Sequence, residues 1–272
     1  MAGEIAWLAA GAIMAGIVAG ILGGLFGIGG GAIIVPVLFE AFGLLGVPDA
    51  VRMQLCIGTS LAIIVPTAVR SYRQHKAQGA VLEDVLRRWT IPCVIGVAVG
   101  AGLAALAPPE TLKAAFVLIA IVIAAKLLFG GDRWVLADDL PGKAAMDGYG
   151  FAIGLGSSLM GIAGGSLAVM VLTLYRKPIR SAVGTGAGIG VPITIAGTIG
   201  YILAGLPHQA MLPALSIGFV SLPGVVLIAP LSSWIAPFGA RLAHRLQPRT
   251  LELAFSAYLL LAAARFLASM MD

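Results

Sequence analysis

The sequence predicts an all-α integral membrane protein. It reads as two inverted repeats of about five membrane segments each, with glycine-broken short helices meeting near the midplane. Three observations predict this. Apolar residues make up 60% of the 272 and charged residues only 11%, whereas soluble domains run at about 45–50% and about 25%. Apolar stretches of about 20 residues, the length that crosses a bilayer core, recur from one end to the other. A glycine-rich motif occurs twice, at equivalent places in the two halves. Such lengths with little alternation favour helices, which satisfy their own backbone groups in lipid.

In chain order, the first half is expected to hold segments at 5–27, 31–44, 49–73, 84–107 and 110–130. The second half is expected to hold segments at 144–161, 165–175, 179–204, 208–231 and 249–270. The stretch 232–247 is left over as a short interfacial helix. The join lies in the one sizeable polar loop, so 1–130 and 148–272 are the repeats and 131–147 a cytoplasmic linker. Aligned without gaps, Gly27, Ile28, Gly30 and Gly31 fall on Gly161, Ile162, Gly164 and Gly165. Further on, Gly58-Thr59 matches Gly184-Thr185 and Pro66 matches Pro192, while Pro109, Thr111 and Phe116 match Pro248, Thr250 and Phe255.

The formal charge of +5 is not laid out for nucleic acid, since no basic run carries interleaved aromatics. Of the 17 Lys and Arg, all but Arg52, Lys113 and Arg265 fall in one set of loops. By the positive-inside rule that set is cytoplasmic. The first half then begins outside and the second inside, with both termini on the non-cytoplasmic side. The count leaves open whether the segments around each glycine-rich break cross fully or meet as re-entrant halves. Both cysteines, Cys56 and Cys93, lie in apolar segments, which argues against a disulfide framework. The start of the chain lacks a basic n-region and its apolar run is too long for a signal peptide.

Inverted repeats with short, glycine-interrupted segments in corresponding places are a signature of secondary transporters. The run Gly27-Ile-Gly-Gly-Gly31 disfavours helix by about 1 kcal/mol per glycine relative to alanine. A break there exposes backbone N–H groups, and the helix that restarts presents an N-terminus favourable to an anion. Gly161-Ile-Ala-Gly-Gly-Ser166 repeats the pattern and adds a hydroxyl. Gly29, Gly30, Gly31, Gly164, Gly165 and Ser166 are therefore candidate substrate contacts; the competing use of such glycines is close helix packing. Thr59, Ser60 and Thr185 can donate hydrogen bonds to an oxyanion, although a membrane threonine often bonds its own backbone one turn back. Gln54, opposite Arg180 in the alignment, joins the candidates. Cys56 does too, as a contact to a sulfur oxyanion or a thiol that reacts with one, against the plainer role of small hydrophobe. Glu40, near the end of a short segment, is a candidate proton-coupling carboxylate. No metal constellation, HExxH, GxSxG or Walker motif is present, so protease, lipase, ATP-driven pump and cofactor chemistry are not expected.

Gly27-Ile-Gly-Gly-Gly31 with Ile34-Val-Pro36, the two Gly-Thr elements, and Gly239-Ala-Arg-Leu-Ala-His-Arg245 resemble the TauE/SafE sulfite exporter family, also called the toluene sulfonate uptake permease group. The resemblance spans almost the whole chain. It implies an inner-membrane permease for sulfite, sulfonates or related small anions, driven by an ion gradient. It carries the paired breaks and Gly-Thr elements over as the substrate region. Ala163 replaces a motif glycine, Met170 a proline, and Cys56 stands where alanine is expected. Organosulfonates, small carboxylates and a permease with a reactive cysteine are the alternatives, and the oligomeric state stays open.

Overall fold

Proline and glycine set the lengths of the helices in the computed structural model, which describes residues 16–18, 21, 31–129, 135–243 and 247–271. After the motif, α1 (Gly31–Leu44) is a short helix of about 21 Å at 1.5 Å per residue. Pro48 and Pro178 open the two longest helices with nearly identical geometry, φ −55°, ψ 137° and φ −53°, ψ 135°. These are α2 (Asp49–Ala77) and α7 (Ile179–Gly205), each with an internal proline, Pro66 or Pro192. Between them come α3 (Glu83–Leu106), α4 (Pro109–Phe129), α5 (Lys143–Met160) and the short α6 (Gly165–Leu174). After α7 come a 3₁₀ turn (Leu206–Met211), a hairpin of β1 (Ser216–Ile217) and β2 (Val220–Ser221), then α8 (Leu222–Ala243) and α9 (Pro248–Ala268).

Among the described residues, α2, α3, α4 and α7 (with its 3₁₀ extension) are long and apolar enough to cross a membrane. The most apolar window of α2 is 72% buried, against 39% in the other three, so α2 is the central helix. On α3, Ile91, Ile95, Val99 and Leu103 are exposed while Trp89, Cys93, Val97 and Ala104 are buried. A helix apolar on both faces is suited to lipid outside and protein inside.

Two expectations are corrected. No single segment runs over 208–231. Gln209 clamps the intervening hairpin through its amide, donating to the Ser216 carbonyl (2.6 Å) and accepting from the Gly218 N–H (3.0 Å). The stretch 232–243, expected as part of an interfacial helix, continues α8, because Ser232-Ser233 carries no stop signal. The helix α5 starts at Lys143, one residue ahead of the segment expected at 144–161.

Charged side chains collect at two ends of the bundle. At one, the Lys113 face, Lys113 is 1% exposed and donates to Asp49 Oδ2 (3.0 Å) and the Ser269 carbonyl (3.2 Å). Arg265 pairs there with Glu40 at 2.8 Å, and Arg52 with Asp49 at 3.4 Å. Lys113 Nζ and the Arg52 guanidinium carbon lie 5.3 and 5.2 Å from the Phe39 ring centroid. At the other, the Arg88 face, Arg88 pairs with Asp147, Lys76 with Glu83, and Lys126 donates to Thr173 Oγ1. Arg249 at the start of α9 donates to the Leu127 and Leu128 carbonyls at the end of α4. Since Lys113 at the start of α4 reaches Ser269 beyond the end of α9, these two helices run antiparallel. Losing the buried ammonium leaves Asp49 and the Ser269 carbonyl short of a partner. Lys113→Met is expected to destabilise by about 1–3 kcal/mol, read as a Tm lowered by several degrees in detergent.

Candidate functional site

The break between α5 and α6 follows from two backbone positions. Gly161 (φ +72°) ends α5 and Gly164 (φ +74°) opens α6, both left-handed; a side chain there costs about 1–2 kcal/mol. The N–H groups of Gly161 and Ile162 both donate to the Ser157 carbonyl, closing α5. The Gly164 carbonyl accepts from Ala168 N–H at 2.9 Å, starting α6.

Contacts beyond the break show that α6 turns back along α5. The Tyr149 hydroxyl, in the second turn of α5, lies 2.9 Å from that of Tyr175 at the end of α6. Leu136 N–H, ahead of α5, donates to the Leu174 carbonyl (2.8 Å), and Arg176 pairs with Asp138 at 3.0 Å. At ten residues, α6 reaches only about 15 Å. The second break is thus the tip of a helical hairpin whose ends return to the Arg88 face.

That tip meets the start of α1. A Cβ on Gly31 would stand 2.5 Å from the Gly161 carbonyl oxygen and 2.8 Å from Ile162 Cα, so the two glycine motifs touch backbone to backbone. Ser60 Oγ donates to the same Gly161 carbonyl at 2.9 Å. On the other side Gly165 abuts Gly186, whose added Cβ would lie 2.9 Å from the Gly165 carbonyl oxygen. Gly161 to Gly164 are buried while Gly165 and Ser166 are half-buried, so the start of α6 is the open part of the cluster. No described residue accepts from the N–H groups of Gly165, Ser166 or Leu167, the orphan donors of a helix N-terminus. The described Asp, Glu, Lys and Arg residues lie towards helix ends or in connections. The centre therefore offers oriented N–H dipoles without a countercharge, an arrangement that favours a small anion.

The structure brings Gly31, Ser60, Gly164, Gly165 and Ser166 together; Gly29 and Gly30 lie outside the described residues. The remaining candidates stand elsewhere or are engaged. Thr59 Oγ1 accepts from Ser221 N–H at 2.9 Å. Thr185 Oγ1 donates to the Ser181 carbonyl (2.7 Å), one turn back, and accepts from Leu82 N–H (2.9 Å). Gln54 reaches the Ala104 and Ala107 carbonyls at 3.5 Å near the end of α3, with Oε1 unpartnered. Cys56 is 0% exposed. Glu40 is held by Arg265 at the Lys113 face. Sequence reasoning passed over Tyr201, a fully buried tyrosine on α7 whose hydroxyl donates to the Ser158 carbonyl (2.9 Å) just before the break. Its one signal was a phenol inside an apolar run, which needs a partner when buried.

Comparison with known proteins points to membrane transporters. The sequence model of one family, described as "Sulfite exporter TauE/SafE", matches residues 12–266. A Haemophilus influenzae protein described as a probable membrane transporter protein is 30% identical over 252 residues, covering 92% of this chain and 95% of its own. A Methanocaldococcus jannaschii protein with the same description is 27% identical over 249 residues, 91% of each chain. A Bacillus subtilis probable membrane transporter protein is 25% identical over 269 residues, 92% of this chain and 93% of its own. No solved structure matches.

Proposed function

The chain belongs to the sulfite exporter TauE/SafE family of membrane transporters, and from that premise we propose that it exports sulfite or a closely related sulfur oxyanion across the inner membrane. The observation that carries the anion is the half-buried start of α6 at the tip of the α5–α6 hairpin: among the described residues its N–H groups have no acceptor and no charged side chain lies beside them. Gly29–Gly31 and Gly164–Ser166 frame the site. Their N–H groups replace water around the oxyanion, while Ser60 and the two Gly-Thr elements hold the surrounding backbone.

Alternating access between two inverted repeats moves the anion, coupled to the proton gradient. Two features support the inversion. The equivalent helices α4 and α9 are antiparallel, tied at one end by Lys113 and at the other by Arg249. The equivalent short helices α1 and α6 end at opposite faces, where Arg265 holds Glu40 and Lys126 holds Thr173. The excess of basic residues makes the Arg88 face cytoplasmic, with both chain termini on the other side. No covalent step is required, so the protein is a carrier and not an enzyme.

The test is flux in proteoliposomes loaded with sulfite, with and without an imposed proton gradient, with sulfate and acetate as competitors. Saturable sulfite movement that answers to the gradient and resists sulfate is expected. Competition by acetate, or movement of a sulfonate in place of sulfite, would change the cargo to a carboxylate or organosulfonate. Full burial of Cys56 disfavours a reactive thiol. Cys56→Ala is accordingly expected to keep flux within about twofold, a change in barrier below about 0.5 kcal/mol. Flux falling to background would restore a covalent role.

A further inference from the structure

The two Gly-Thr elements make the same contact twice, each beside the α5–α6 tip that Ser60 and Gly186 touch. On α7, an added Cβ at Gly184 would collide with the Ala80 carbonyl, and Thr185 Oγ1 accepts from Leu82 N–H at 2.9 Å. On α2, an added Cβ at Gly58 would collide with the Phe219 carbonyl, and Thr59 Oγ1 accepts from Ser221 N–H at 2.9 Å. In each case the connection leading into α3 or α8 lies across the long helix of the other half. The glycine lets a carbonyl approach and the threonine, one residue on, takes the N–H two residues beyond that carbonyl. The spacing is the same in both: Ala80 to Leu82 and Phe219 to Ser221.

The two contacts face different ways. Leu82 precedes α3, whose start carries Arg88, so the Thr185 contact belongs to the Arg88 face. Ser221 is the last residue of the hairpin, beyond the end of α7. The late part of α7 lies beside the late part of α3, where a Cβ on Gly200 would meet Ala101 Cβ at 2.8 Å. The end of α3 in turn lies beside Gln54 near the start of α2, the end that carries Asp49 and Lys113. The Thr59 contact therefore belongs to the Lys113 face.

We propose that these contacts are paired latches that close the two sides of the transporter, the Thr185–Leu82 latch on the Arg88 face and the Thr59–Ser221 latch on the Lys113 face. Both contacts are made in the structure described, in which Thr59, Ser60 and Thr185 are each 0% exposed, so both latches are closed there. Each latch joins one half to the other, so rocking the halves must break one. Opening either exposes the half-buried start of α6 to one side only. The inference rests on the alternating-access reading, and it assigns Thr59 and Thr185 to positioning the gates and not to touching the anion.

The experiment uses sided membrane vesicles and a Ser166→Cys reporter in a chain whose two native cysteines are replaced by alanine. A membrane-impermeant maleimide is applied from each side. Thr59→Val is expected to speed labelling about tenfold from the Lys113 face alone, and Thr185→Val about tenfold from the Arg88 face alone. Thr59→Ser and Thr185→Ser, which keep the hydroxyl, should label at the rate of the parent reporter chain. Leu82→Pro removes the donor without touching the threonine, at a φ of −80° that proline accepts. It should reproduce Thr185→Val, and the double variant should add nothing further. Faster labelling from both faces, or no change from either, overturns the latches. The readout does not depend on cargo. Expected sidedness of labelling, with no sulfite flux in the chain that keeps Ser166, discards the substrate and keeps the latches, whereas flux in that chain without sidedness in the reporter does the reverse.

Discussion

A chain carrying Gly164→Leu is expected to reach the membrane folded and to move sulfite no faster than protein-free liposomes. Gly164 sits at φ +74°, and an added Cβ would stand 2.6 Å from Ile193 Cδ1 and 2.7 Å from Ser157 Oγ. The backbone strain is about 1–2 kcal/mol, and the nearest obstacle is the end of a flexible side chain that can turn away. A fold stabilised by about 5–15 kcal/mol withstands that. The site does not, because Gly164 aims the first N–H groups of α6, and a rotation of the tip sends them into protein. Gly164→Ala, with the strain but less bulk, should lose about tenfold. The paired measurement is flux against elution as a single species and melting in detergent. Normal flux in folded Gly164→Leu would remove the break from the site.

The residues that make this prediction possible were partly readable beforehand. The break at Gly161–Gly164 was foreseeable because glycine clustering is a local property, and α1 and α6 are short because prolines and glycines bound them. Pro48 and Pro178 likewise marked the starts of α2 and α7. What could not be read was which hydroxyls remain free for a ligand. Ser60, Thr59 and Thr185 looked alike as donors, yet each is committed to backbone about 100 residues or more away in sequence. Local pattern does not encode that partner. The turn of α6 back along α5 was open for the same reason, since contacts distant in sequence, Tyr149–Tyr175, Leu136–Leu174 and Arg176–Asp138, are what show it. The 206–221 connection was missed although Pro207, Pro213 and Gly218 were in view. Its apolar content outweighed them, and the Gln209 clamp that lets it fold as a turn and hairpin depends on tertiary geometry.

The same abundance of glycine hides a second role, and Gly154→Val separates it from the first. On α5 an added Cβ at Gly154 would run into the Cys93 carbonyl, and on α3 one at Gly96 would run into the Phe151 carbonyl. Gly150 adds contacts at 3.0 Å to Pro92 Cβ and 3.2 Å to Trp89 Cδ1. Here the obstacles are backbone atoms of a neighbouring helix, which yield only if α3 and α5 move apart. In lipid, separated helices regain little by collapsing again, because association rests on close packing and not on expelling water. Gly154→Val is therefore expected to cost more than the roughly 1–3 kcal/mol of ordinary overpacking. It should leave little chain eluting as a single species, with the survivors melting well below the parent. Gly102→Val on the same α3, where an added Cβ meets nothing within 4 Å, should melt with the parent and transport normally. If Gly154→Val folded and carried sulfite, the α3–α5 contact would be looser than this geometry states. If it failed while Gly164→Leu folded without flux, one residue type would be shown serving two ends: close packing between α3 and α5, and an open helix start at the centre.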